Sequence, residues 1–111
     1  MNLTADFTCW QSIQKLQKTF QGAKTKELKS GQEKIHSVRW SPDGSRLASG
    51  SADSFLKVWT FHQATSEFIL LNEYHEHSNS ITQLCWNPTD SNTFATASLD
   101  KSVLFWDVRE G

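Results

Sequence analysis

The sequence predicts an all-β protein built from two successive small sheets, and two observations carry the prediction. The first is an internal repeat. Ile35-x-x-Val38-x-Trp40 returns as Ile81-x-x-Leu84-x-Trp86, and Ser49-x-x-x-Asp53-x-x-x-x-x-Trp59 returns as Thr96-x-x-x-Asp100-x-x-x-x-x-Trp106. The offset is 46 residues at the first landmark (35 to 81) and 47 at the last (59 to 106). The second is that each repeat breaks into short apolar runs separated by turn signals, the pattern of antiparallel strands. A period in the mid-forties is the spacing of a four-stranded propeller blade.

The elements follow in chain order. Residues 1–23 stand outside the repeat; Trp10, Ile13, Leu16 and Phe20 recur at a spacing that predicts a short one-sided helix ending near Gly22. Residues 24–29 predict an edge strand whose lysines discourage further pairing. The first inner strand spans Ile35 to Ser41 and stops at Ser41-Pro42-Asp43-Gly44, where Pro presets φ and Gly relieves the exit. Arg46 to Ser51 is the second strand, Ala52-Asp53-Ser54 a hairpin turn, Phe55 to Phe61 the third strand and Glu67 to Glu73 the fourth. On the third, Leu56 and Val58 are expected on one face and Lys57 and Trp59 on the other. The second copy offers Ile81–Trp86, Thr93–Ser98 and Ser102–Asp107, with a first turn one residue longer that accounts for the growing offset. The expected organisation is a lead over 1–23, an outer strand plus first blade over 24–73, and a second blade over 74–111 lacking its outer strand.

Composition narrows the function classes. Five Trp and seven Phe can build a core from few residues. The net charge of −1 hides an asymmetry: residues 11–40 hold seven basic against two acidic side chains, and residues 41–111 four against nine. The basic stretch Lys15–Arg39 is a candidate phosphate contact, though cations so dispersed more often form a solvated face. Cys9 and Cys85 are too few for a disulfide scaffold and form no Cys-x-x-Cys pair, so buried or partly buried free thiols are expected. No apolar run approaches the roughly 18 residues of a membrane span, and the first twenty residues lack a signal peptide's apolar centre. A soluble intracellular protein is expected. Gly-rich phosphate loops are missing, so nucleotide use has no support.

One constellation resembles a nucleophilic triad: His77, Thr96, Asp100 and Trp106 place imidazole, hydroxyl and carboxylate in one repeat. No nucleophile elbow accompanies them. A structural relay explains the set better: Asp at the tight turn accepts from His, His meets the strand hydroxyl, and the hydroxyl meets the Trp indole, so each buried polar group is satisfied. The first copy keeps Ser49, Asp53 and Trp59 but holds Gly31 at the aligned His position, which predicts a looser first blade. His75 and His77 would share one side of a strand but have no third ligand, so a metal site is not expected. Trp40 and Trp86 suit core packing better than a platform for bases.

These landmarks resemble the WD40 repeat family: Glu76-His77 in place of a Gly-His pair, Trp40-Ser41-Pro42-Asp43-Gly44, Leu47-Ala48-Ser49-Gly50-Ser51-Ala52-Asp53, and Trp106-Asp107. Gly31, Glu76 and Thr60 depart from the family's His, Gly and Asp. The resemblance implies a β-propeller of about seven blades, of which this chain would carry about two, an incomplete ring. Stacked repeats need neighbours on both faces, so either the chain is a piece of a longer protein, the favoured expectation, or it associates to cover its flanks. Alone it is expected to be weakly stable and prone to aggregate. The strings Lys34-Ile35-His36-Ser37-Val38, Gln83-Leu84-Cys85-Trp86-Asn87-Pro88 and Thr96-Ala97-Ser98-Leu99-Asp100-Lys101 are similar to WD-repeat subunits of THO/TREX-type mRNA-export assemblies. That similarity implies a nuclear, non-catalytic scaffold without cofactors. Its partners would be the other protein subunits of such a complex, RNA contact would be indirect or weak, and residues 24–29 would clasp the last blade. Candidate contact loops are Pro42–Arg46, Asp53–Phe55 and Asp100–Ser102. The competing reading is a WD40 adaptor of another kind, a histone-binding protein or a ubiquitin-ligase substrate receptor using a central-channel pocket.

Overall fold

The computed structural model describes residues 27–28 and 33–110. The helix expected within 1–23, most of the outer strand expected over 24–29, Cys9, Gly31 and most of the basic stretch that begins at Lys15 lie outside the described residues. Seven strands run in order: β1 (Ile35–Trp40), β2 (Arg46–Ser51), β3 (Leu56–His62), β4 (Glu67–Tyr74), β5 (Ile81–Trp86), β6 (Thr93–Ser98) and β7 (Val103–Asp107). β1 to β4 form one antiparallel sheet in sequence order, and β5 to β7 form a second. The two sheets stack as propeller blades and do not close a ring among the described residues. No helix among the described residues is long and apolar enough to cross a membrane.

The spacing Ile-x-x-Leu-x-Trp breaks strict alternation, yet all three residues face the same way. A register shift between Ile81 and Gln83 resets the pleat, so Ile81, Leu84 and Trp86 stand opposite Ser98, Thr96 and Phe94, alternate residues of β6. The same shift lies between Ile35 and Ser37 in the first copy. β5 thereby presents one apolar row to the first sheet. That sheet answers with Ala48 of β2 and Leu56 and Val58 of β3, which pair across the ladder (Ala48 with Val58, Gly50 with Leu56) and share a face. Ala48, Leu56, Val58, Ile81, Leu84, Trp86, Phe94 and Val108 form the core, with Tyr74 and Trp106 packed against it. Each fully buried aliphatic side chain there contributes roughly 1.5–3 kcal/mol.

Polar contacts fix how the sheets sit. The Trp86 indole donates to the Arg39 carbonyl at 2.9 Å. The Arg46 guanidinium donates to the Ser91 carbonyl at 2.7 Å and to Asn92 Oδ1 at 2.6 Å. The Asn72 amide donates to the Val108 carbonyl at 2.8 Å, and the Tyr74 and Trp106 rings lie 4.8 Å apart. The Ser41–Arg46 turn is shaped by Asp43, whose Oδ1 accepts from the Ser41 hydroxyl at 2.8 Å and the Ser45 amide at 2.9 Å, while Gly44 supplies the φ of 74° that closes it.

Several expectations shift. β1 ends at Trp40, β3 starts at Leu56 and β7 at Val103 because turn hydrogen bonds engage Ser41, Phe55 and Ser102, while β3 reaches His62 and β4 reaches Tyr74 by pairing with Glu67 and Leu56. Trp59 is buried together with Leu56 and Val58, although it lies on the opposite face. Cys85 is exposed, not buried: it falls between Leu84 and Trp86 in the pleat and so points away from the sheet-on-sheet core.

A Cβ built on Gly50 would lie 2.4 Å from Ile81 Cγ2 and 3.0 Å from Ile81 Cβ. Ile81 is fully buried and stiff at χ1, so it cannot step aside. Gly50→Ala is expected to lower stability by about 1–3 kcal/mol, measured by chemical or thermal denaturation, whereas Ala at the exposed position Leu99 should change it little.

Candidate functional site

The β4–β5 connection carries His77 across the open end of the second sheet. Thr96 sits mid-strand in β6, Asp100 in the β6–β7 turn and Trp106 in β7. The structure brings these four side chains together. His77 Nδ1 lies 2.9 Å from Asp100 Oδ2, His77 Nε2 lies 2.7 Å from Thr96 Oγ1, and the Trp106 indole donates to Thr96 Oγ1 at 2.8 Å.

The chemistry of the two ends orients the chain. An indole N–H only donates and a carboxylate only accepts. The proton order that satisfies every member therefore runs from Trp106 to Thr96, from the Thr96 hydroxyl to His77 Nε2, and from His77 Nδ1–H to Asp100. Asp100 also accepts from the Ser78 amide at 3.1 Å, the Ser102 amide at 2.9 Å and the Ser102 hydroxyl. The Ser102 hydroxyl above all, then His77 and the two amides, hold the Asp100 carboxyl well below the usual carboxylate range. His77 and Thr96 are buried at 2% and 1% exposure. Thr96 Oγ1 is engaged on both sides, so it offers no free hydroxyl to a substrate.

In the first copy, Ser49 and Trp59 are buried and Asp53 shapes the β2–β3 turn, accepting from the Ser51 hydroxyl and from the Phe55 amide at 3.2 Å. The turns of the two copies share their geometry down to a left-handed residue at the same place, Ser54 with φ 69° and Lys101 with φ 72°. The imidazole position of this copy, Gly31, lies outside the described residues. A different histidine reaches the turn. His75 Nε2 lies 2.8 Å from Ser54 Oγ, and its ring stacks on Phe55 with centroids 4.2 Å apart and planes at 14°.

Sequence reasoning missed this second contact because it placed His75 and His77 on one side of a strand. They lie in the connection after β4, where the pleat no longer holds, and they diverge: His75 is exposed against the first sheet and His77 buried in the second. No group of three or more His, Cys, Asp or Glu side chains able to hold a metal occurs among the described residues. The signal that could have separated them was the Ser54-Phe55 pair, a hydroxyl and a ring within reach of the linker.

The antiparallel alternation sorts the candidate loops. Asp53–Phe55, Asp100–Ser102 and the β4–β5 connection share one end of the blades, and Pro42–Arg46 lies at the other with the β5–β6 turn. Arg46 is spent within the molecule on Ser91 and Asn92. Burial opposes ionisation of Asp43, but hydrogen bonds from Ser45, Ser41 and Ser91 outweigh it and bring its carboxyl down to about 2. Asp107, next to the repeat's Trp106, is brought down to about 2 by the Arg109 guanidinium and amide.

Residues 14–60 and 68–107 match the family model described as WD domain, G-beta repeat. The chain belongs to the WD40 family. This WD40 chain is 39% identical over 92 residues to THO complex subunit 3 of Arabidopsis thaliana, an alignment covering 83% of this chain and 29% of the relative. It is 31% identical over 83 residues to Protein HIRA of Dictyostelium discoideum, covering 68% of this chain and 7% of that protein. The WD40 chain thus spans less than a third of these curated relatives. A chain in a crystal structure of the mitotic checkpoint complex overlays it with a TM-score of 0.65 at 28% identity, over 76% of this chain and 25% of that one.

Losing His77 leaves the buried Thr96 hydroxyl proton without an acceptor, while Asp100 Oδ2 keeps the Ser78 amide. His77→Ala is expected to lower stability by about 1–3 kcal/mol, read as a fall in melting temperature of the full-length protein, with substitutions at Gly31 costing much less. Acid provides a second readout. The depressed carboxyls of Asp43, Asp100 and Asp107 contribute stability that is present above their ordinary value of 3.8 and lost as pH falls through the folded-state values. The melting temperature is expected to hold down to about pH 5 and then drop steeply toward pH 2, with a shallower drop in Asp100→Asn.

Proposed function

We propose that this WD40 interaction scaffold is a non-catalytic, nuclear subunit of a THO/TREX-type assembly acting in mRNA processing and export. The observation that carries the first half is the closed polar chain of His77, Thr96, Asp100 and Trp106. Its reactive groups are turned on one another and buried, so they serve as a relay that locks β6, β7 and the β4–β5 connection together. Ser49, Asp53 and Trp59 take the equivalent repeat positions in the first blade, where Asp53 shapes the β2–β3 turn. What remains for partners is the loop ends and the exposed blade faces. The second half is supported by the 39% identity to a relative named as a THO complex subunit, spread over 83% of this chain. Partner choice lives in surface loops and does not follow from the fold. A second reading, a WD40 adaptor in another complex such as a histone-binding or ubiquitin-ligase assembly, has the HIRA relative at 31% identity in its favour.

Affinity purification of the full-length protein from nuclear extract, with identification of co-eluting chains, separates the two. Recovery of THO subunits is expected; their absence beside subunits of another assembly would overturn the THO assignment. A salt titration with single-stranded RNA is expected to show binding that disappears by physiological ionic strength, because dispersed lysines act through counterion release alone.

A further inference from the structure

β4 closes the first sheet on its outer side, and it comes from the middle of the sequence. The second sheet stacks on the face built from Ala48, Leu56 and Val58, not on a strand edge. The open side of β4 is therefore set by the order of strands within its own sheet. At 8 residues it is also the longest strand described. Its backbone directions follow from the pairing. The Phe61 amide donates to the Ser45 carbonyl, so Phe61, and by alternation Trp59 and Lys57, bond toward β2. Leu70 stands opposite Trp59 and Glu73 opposite Lys57, so both turn their N–H and C=O away from the sheet. No further strand meets them among the described residues.

We propose that the outer edge of β4 takes an extended, lysine-flanked segment of a partner protein as an added strand. Strand addition draws affinity from main-chain hydrogen bonds and specificity from the side chains beside them. Here the flanks are acidic. Glu67 and Glu73 are exposed near the two ends of the strand, with the exposed Ile69, Leu70 and Leu71 between them. β4 contains no lysine, arginine or proline to guard the edge. Lys57 approaches Glu73 only to 3.9 Å, and Glu67 has no ion-pair partner among the described residues.

The same charges select against other occupants. Two β4 edges paired antiparallel would set Glu67 against Glu73, and paired parallel would set each glutamate beside its own counterpart. Like charges in facing positions destabilise a ladder, so a second copy of this chain fits poorly, and a polyanion is repelled. The register shift between Val58 and Trp59 leaves Leu71 without a partner in β3. Such a bulge bends the strand, so the added strand pairs regularly over Glu67–Leu70 and more weakly beyond. This contact rests on the scaffold reading alone, not on which assembly supplies the partner.

Hydrogen exchange of the full-length protein, read by mass spectrometry over residues 67–74, tests the contact. The probe is a short peptide of alternating valine and threonine, capped at both termini, with lysine at each end. Its counterpart carries glutamate there. At about 1 mM peptide, the lysine form is expected to slow exchange of this segment about threefold and the glutamate form to leave it unchanged. Leu70→Pro removes an outward donor that the sheet does not use, a place where an edge strand accepts proline. It is expected to abolish the slowing with the melting temperature unchanged. Glu67→Lys combined with Glu73→Lys is expected to exchange the preference, so that the glutamate form protects the strand. Unslowed exchange of the wild-type protein with the lysine form rules the contact out. Equal protection by both peptides, or protection that survives Leu70→Pro, does the same. Protection by single-stranded RNA, or protection without peptide that rises with protein concentration, assigns the edge to another occupant and also defeats the proposal. Affinity purification that fails to recover THO subunits bears on the assembly assignment alone.

Discussion

Ile81 occupies space that exists only because residue 50 has no side chain, and the arrangement of the two sheets depends on that fit. With a Cβ held off, β5 lies down on β1 and β2 closely enough for Leu84 and Trp86 to reach the Ala48, Leu56 and Val58 patch. Apolar contact of this kind sets distance but not direction. Direction comes from the rim, where the Trp86 indole finds the Arg39 carbonyl and Arg46 spans to the Ser91–Asn92 turn. A slide of one residue along the strand would lose the fit and these hydrogen bonds together.

The polar chain from Trp106 to Asp100 solves a different problem. A three-strand sheet with a connection across its end would leave a hydroxyl, an indole and an imidazole inside with no water to bond. Threading them in donor-to-acceptor order satisfies each one and ties the connection to the sheet. The carboxylate at the end gathers two amides and a hydroxyl besides the imidazole, which is why its proton is so hard to add. The same side chains in an open cleft would suggest hydrolysis; here they are enclosed and bonded to one another. His75 extends the linker's role to the other sheet, resting on Phe55 and Ser54. One short connection thus fastens both blades at the same end.

What is left on the surface is unequal. The loop ends are polar and largely bonded to themselves, while Val103 and Phe105 on one side and Ile35 and Val38 on the other are bare.

The repeat was legible in the sequence because its physical causes are local. Turn residues such as Pro42-Asp43-Gly44 act over four positions, apolar spacing acts along one strand, and both recur in the second copy almost unchanged, so all seven described strands and the grouping of His77, Thr96, Asp100 and Trp106 in one repeat could be read without coordinates. Three things could not. The bulge that turns Ile81 and Leu84 to the same face arises from pairing with β6, which no single strand encodes. The exposure of Cys85 follows from which side of β5 meets the first sheet, a choice made by Gly50 some thirty positions earlier. The separation of His75 from His77 depends on the connection leaving the sheet plane, and only the stacked blades decide where each ring finds its partner.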